Sequence, residues 1–299
     1  MCEVGVVSVM KDYITKIKGK LSLYSRKKTS NIFDGSYKSI YQGNGLDFEN
    51  LREYIPGDSI RDIDWKASSR SGKVLVKRYI AEKKHNVMLV FDTGKSMSAH
   101  TDSMDEKKEI ALYVGGTIGY MAAKNGDNVG AIYNRNSMIQ YFPFRTGLGN
   151  IERILTEYDR EKFDDYETDI EKTLDYIVRN INRRMILIVI TDAAGVYNIS
   201  NNTLKKLSYQ HDVLFVSIND ATVSGSQAYA VEDDVYIPDF ISSNKELLKM
   251  QQDMKEKLEV ANEKKLIQNR IVSVSVDREA EVVEKIIELL GGQAYANNR

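Results

Sequence analysis

Residues 87–100 read VMLVFDTGKSMSAH, in which an apolar run enters Asp92 and is followed at once by Gly94, Lys95 and Ser96. A short apolar run closed by turn residues predicts a strand buried on both faces. A carboxylate at the end of such a strand stands where ligands gather in open α/β sheets, outside the carboxyl ends of the strands. The loop at Asp92 has three candidate cargoes: a nucleotide phosphate, a phosphoryl group on the aspartate, or a metal ion.

A phosphate-binding loop needs a glycine four residues before the Gly-Lys-Ser, so that backbone amides curl around the phosphates. That position is Leu89, inside the strand. An aspartate nucleophile is usually helped by a second acid two residues on, which protonates the leaving group. Here that residue is Gly94. The metal ion demands least, because Mg²⁺ takes six oxygen ligands, keeps several waters and needs one or two protein carboxylates. Asp92 and Ser96 converge from one tight loop, TDIEKTL (168–174) places the Thr168 hydroxyl at a helix start, and ITDAAG (190–195) places Asp192 at a second strand end. Together they form an all-oxygen site for Mg²⁺ or Mn²⁺ with one position open to an incoming carboxylate. The plainer alternative makes Thr168 an N-cap and Asp192 the start of a turn.

Outward from this stretch, buried strands alternate with amphipathic helices. A helix over 105–125 carries Ile110, Val114, Ile118 and Met121 at spacings of three and four; NVGAIYN and SMIQYFPF then read as a hairpin pair joined at Arg135 and Asn136. Helices over 149–158 and 169–181 lead into RMILIVITD, and a helix over 203–209 precedes DVLFVSIND. The short strand DVYIP, a long helix over 245–269, the strand RIVSVSVD and a closing helix to Leu290 complete the series. This alternation predicts an α/β fold, a mostly parallel, doubly wound sheet covered on both faces, because parallel strands need crossover helices. The expected division is an N-terminal region over 1–84 and one α/β domain over 85–299.

The bulk composition excludes little else. Of 299 residues, 42% are hydrophobic and 28% charged, ordinary usage for a globular chain, and the net charge of −1 provides no global field for nucleic acid. Cys2 has no internal disulfide partner, no apolar window reaches the length of a bilayer span, and the expected location is the cytoplasm. The first 28 residues are basic and interleaved with Val9, Ile14, Ile17 and Leu21. They predict a helix that either covers part of the core or rests peripherally on an anionic membrane.

Asp92, Ser96, Thr168 and Asp192 resemble the metal-ion-dependent adhesion site of a von Willebrand factor type A domain, written Asp-x-Ser-x-Ser with a distant Thr and a distant Asp. Gly94 stands where the first Ser belongs. The longer stretch GNGLDFENLREYIPGDSIRDIDWKASSRSGKVLVKRY, residues 43–79, resembles the signature of the bacterial family known as domain of unknown function fifty-eight. In that family the signature directly precedes a von Willebrand type A-like domain. The resemblance implies a non-enzymatic protein-interaction module that works with a MoxR-type AAA+ ATPase, or its client, in chaperone-like assembly or maturation. The alternative class is a metal-assisted hydrolase or phosphoryl-transfer enzyme using Asp92 and Asp192.

Within the signature, Asp58, Asp62 and Asp64 sit near Arg52, Arg61 and Arg70, which predicts a network of Arg–carboxylate forks rather than a metal cluster. Trp65 and Tyr54 are expected to supply the area that docks this region on the main domain. His85, His100 and His211 match no ligand spacing and read as surface or strand-edge residues. The helix over 245–269 sets Leu247, Met254, Leu258 and Ala261 on one side, interrupted by Gln251, and is expected to pack on the sheet, a partner groove being the alternative.

Overall fold

The computed structural model describes residues 12–27, 48–79, 84–135, 138–163, 170–221, 229–230, 235–236 and 245–297. In chain order the elements are α1 (Tyr13–Lys27), β1 (Phe48–Glu53), α2 (Trp65–Ser71), β2 (Leu75–Tyr79), β3 (Asn86–Phe91), α3 (Lys107–Lys124), β4 (Asn128–Arg135), β5 (Met138–Arg145), α4 (Leu148–Arg160), α5 (Ile170–Asn180) and β6 (Ile186–Asp192). They continue with α6 (Ala193–Asn198), α7 (Asn201–Gln210), β7 (Asp212–Ile218), β8 (Tyr229–Ala230), β9 (Val235–Tyr236), α8 (Lys245–Gln268), β10 (Val272–Val276) and α9 (Val282–Asn297).

The main sheet has six strands in the order β10-β7-β6-β3-β4-β5. All neighbours run parallel except β4 and β5, which form the expected antiparallel pair. The chain is therefore an α/β protein with a mostly parallel, doubly wound sheet of von Willebrand type A-like architecture. From β3 the chain crosses to β4 on one side, and β6 later returns on the other, so the strand order reverses between β3 and β6. Parallel register there sets Phe91 opposite Ile190, which brings the carboxyl ends of the two strands, and Asp92 with Asp192, to one crevice.

Side-chain alternation explains why β3, β6 and β7 read as unbroken apolar runs. Val87, Leu89 and Phe91, with Ile186, Ile188 and Ile190, enter one core. Met88, Val90, Leu187 and Val189 enter the other. Both faces are covered, so neither parity is polar. Helix α3 lies close on the first face because residue 115 is glycine; a Cβ there would sit 2.7 Å from Cε1 of Phe91.

Helix α1 also belongs to that first core, although the expected division placed it with the N-terminal region. Tyr13, Ile14 and Ile17 are buried, as the core-covering alternative requires for residues 13–17. Its N-terminus is held by Glu152 of α4, whose carboxylate accepts from the backbone N–H of Tyr13 (3.0 Å) and Ile14 (2.9 Å), satisfying two of the amides that a helix start leaves open. Glu152→Ala is expected to cost about 1–2 kcal/mol and to speed amide exchange across 13–21 selectively; unchanged exchange there would show that apolar packing alone holds α1.

The signature region forms an antiparallel β1–β2 pair with α2 between them. It corrects two expectations. Arg52 and Asp58 do form the fork (2.8 and 2.6 Å), but Asp64 is the N-cap of α2, accepting from the Lys66 and Ala67 amides with Lys77 nearby, and Arg61 and Arg70 are exposed. Asp58 and Asp64 are thus divided between an ion pair and a cap, because the turn at 55–58 and the helix start at 64 each need a local acceptor. Trp65 is not docking area: it is 66% exposed, with Ile55 and Ile60 similarly open, while Tyr54 is half-buried.

Helix α8 also departs from expectation. Only Asn262 and Leu266 are buried, so the helix packs by its C-terminal third, while Leu247, Met250 and Met254 remain exposed.

Candidate functional site

Asp92 follows the last residue of β3 and is almost wholly buried. Its backbone continues the strand pairing, its N–H donating to Ile190 O at 3.0 Å, and Tyr158 of α4 donates its hydroxyl to the Asp92 carbonyl at 2.7 Å. Both side-chain oxygens are engaged: Oδ1 accepts from Gly94 N–H (2.8 Å) and Oδ2 from Thr191 Oγ1 (2.5 Å). Burial, and then the charge of Asp192, push the Asp92 carboxyl up to about 7, against the opposing hydrogen bonds and Lys107.

Asp192 ends β6 and caps α6, its Oδ1 accepting from Gly195 N–H at 2.9 Å. Its Oδ2 faces the ammonium of Lys107, 3.1 Å away. That ammonium also pairs with Asp220, just beyond β7. The Lys107 side chain is completely enclosed, whereas that of Asp220 is 39% exposed. Gly195 is required by crowding: a Cβ there would meet the Thr191 hydroxyl and approach Asp92 Oδ2 to 2.9 Å.

Of the four residues expected to hold a metal, three are brought to this crevice and Thr168 lies outside the described residues. Ser96 sits in the 3₁₀ turn Lys95–Ser98, and its buried hydroxyl has no hydrogen-bond partner among the described residues; taken alone, that atom suits a cation. The three described members together do not fit an adhesion-type ion. Gly94 supplies no hydroxyl, although its φ of −62° would admit a serine, and both oxygens of Asp192 are already held, one of them by a fixed positive charge. A divalent ion at that corner would meet the ammonium at short range.

Lys107, Thr191, Gly195 and Asp220 were not singled out from sequence. Lys107 reads there as one of two lysines on a helix start, the usual mark of a solvated turn. Thr191 alone carried a signal, as a hydroxyl adjoining a strand-end aspartate. Of the histidines, His85 lies beside Asp127 and His100 bridges to Glu106. His211 corrects the surface expectation: it is buried, neither ring nitrogen has a hydrogen-bond partner among the described residues, and burial lowers its pKa.

Next to Asp220 a groove of about 810 Å³ opens between α6 and α8, lined by Ala193, Tyr197, Met254, Lys255 and Leu258 among others. Lys255 fixes one wall, donating to Asp220 O at 2.6 Å and to Asp102 at 3.0 Å. No helix among the described residues is long and apolar enough to cross a membrane.

Comparison with known proteins places the chain beside uncharacterised relatives. The family model described as Protein of unknown function DUF58 matches residues 50–224, more than half of the chain. Uncharacterized protein Rv1480 of Mycobacterium tuberculosis and Uncharacterized protein Mb1516 of Mycobacterium bovis are each 24% identical over 202 residues, covering 67% of this chain. The match spans 63% of the length of these relatives. Among solved structures, BatB of Bacteroides thetaiotaomicron aligns over 71% of this chain and 99% of its own, at 15% identity and a TM-score of 0.45. Proximal thread matrix protein 1 of the mussel byssus, solved with zinc in its own MIDAS motif, aligns over 71% and 48% at 10% identity and a TM-score of 0.39. The fold assignment rests on strand order and register, not on these likenesses.

Proposed function

We propose that this chain, which belongs to the DUF58 family of proteins of unknown function, is a non-catalytic protein-binding module that receives its partner across the carboxyl ends of its strands. One observation carries this: the α6–α8 groove adjoins the strand ends at Ala193 and Asp220, and its rim keeps large apolar side chains in water, Met254 at 68% and Tyr197 at 60% exposure. Exposed apolar groups beside a charged site suit a protein surface better than a small polar substrate. The enzymatic alternative asks Asp92 to act as base or nucleophile, yet both of its oxygens accept hydrogen bonds from the protein and the residue is enclosed.

The partner we propose is a MoxR-type AAA+ ATPase acting in the cytoplasm, from the family resemblance of the signature at residues 43–79. Immobilised chain would be tested against the purified ATPase, with and without ATP. Met254→Asp is expected to weaken binding about tenfold or more while leaving the melting temperature unchanged, because the side chain is mostly solvated. Binding equal to wild type would refute the groove as the contact, and no binding by wild type in either nucleotide state would refute this partner.

A further inference from the structure

We infer that the ammonium of Lys107 is a tethered cation that takes the place of a divalent ion at the strand ends, so that this face is organised without metal. This holds whichever protein the module binds.

Lys107 is the first residue of α3, where the helix dipole disfavours a positive charge. Its side chain is also fully buried, which without partners would be costly for an ammonium. Both penalties are offset by position: the amine lies between Asp192 of β6 and Asp220 beyond β7, in ion pairs that join the start of one helix to the ends of two strands. An adhesion-type ion would perform the same work, drawing together acids from separate loops that otherwise repel. The neighbouring features agree with an occupant that needs fewer ligands than a metal. Gly94 contributes no hydroxyl, and Asp192 has its second oxygen on Gly195 N–H. The backbone of residues 99–107 folds so as to deliver the amine, with Lys107 N–H donating to Ala99 O at 3.0 Å and Thr101 N–H to Asp105 O at 2.9 Å.

The test compares wild type, Lys107→Ala and Lys107→Ala/Asp92→Ala by thermal melting and by calorimetry with Mg²⁺ and Mn²⁺, each in parallel with EDTA. Wild type is expected to show no binding heat and a melting temperature constant to about 1 °C, since only a ligand of the native state can shift it. Lys107→Ala is expected to melt about 5–10 °C lower, because it leaves the buried Asp192 carboxylate without its counter-ion. Millimolar Mn²⁺ should then recover at least half of that loss, and the added Asp92→Ala should abolish the recovery. Wild type that binds Mn²⁺ and is destabilised by EDTA overturns the inference, as does a folded Lys107→Ala indifferent to both ions. Should Lys107→Ala fail to fold, Lys107→Met/Asp192→Asn replaces the ion pair by neutral groups of similar shape. A folded double variant indifferent to metal supports the tethered-cation role. A double variant as unstable as the single one overturns it.

Discussion

Gly195→Ala is expected to destabilise the protein by about 3 kcal/mol or more, although the same exchange within a helix ordinarily stabilises by up to about 1 kcal/mol. The reversal of sign comes from the crevice. The added methyl would collide with the Thr191 hydroxyl and approach Asp92 Oδ2 to 2.9 Å. To make room, Thr191 must turn away from Asp92, breaking a buried bond of 2.5 Å to a carboxylate, or α6 must lift, breaking the Gly195 N–H cap on Asp192. Either movement leaves a buried acid short of a donor. Gly149 of α4 provides the control, since a Cβ there meets nothing within 4 Å, and Gly149→Ala should be neutral or slightly stabilising. Paired denaturant melts read the contrast directly. If both variants behave alike, the crevice is loosely packed and its geometry is not fixed by Gly195.

The second large effect is on pH dependence. The Asp92 carboxyl is pushed up to about 7 from an ordinary value of 3.8, first by burial and then by the nearby Asp192 charge. The native state therefore holds this proton more tightly than the unfolded chain does. Stability from this group is fully present below pH 3.8 and is lost as pH rises from there to about 7, at up to about 1.4 kcal/mol per pH unit. Most buried acids that form ion pairs behave in the opposite sense. Asp92→Asn removes the titration while keeping the shape. Its amide oxygen can accept from Gly94 N–H, and its NH₂ can donate to a Thr191 hydroxyl that has turned to act as acceptor. The variant should match wild type near pH 4 and exceed it by a few kcal/mol near pH 8, so the difference between the two melting curves should grow with pH. A difference that stays flat from pH 4 to 8 would show Asp92 to be ionised throughout, its charge met by Lys107.

Local patterning alone was enough for the strands of the main sheet. The strand-length runs NVMLVFD, RMILIVITD and DVLFVSIND, separated by helices with three- and four-residue spacing, imply a parallel sheet buried on both faces. Carboxylates at two strand ends imply that Asp92 and Asp192 share the functional edge. These inferences hold because burial of each strand and helix is written in its own neighbours along the chain. The signature at residues 43–79 named the family for the same reason, being a continuous string.

Tertiary structure decided what occupies that edge. Lys107 reaches Asp192 and Asp220 across 85 and 113 positions of sequence, and nothing in the local spacing separates it from the solvated lysines of other helix starts. Trp65 and Met254 could be read as buried area from their apolar character, yet both face water, because exposure depends on which neighbours arrive rather than on the residue itself. His211 shows the converse, a polar ring enclosed where α7 turns into β7. Periodicity specifies which side of an element is apolar, but the pairing of a buried charge depends on strand order and on the few ångströms that separate its possible partners. In this protein that distance places an ammonium, rather than open coordination space, beside Asp192.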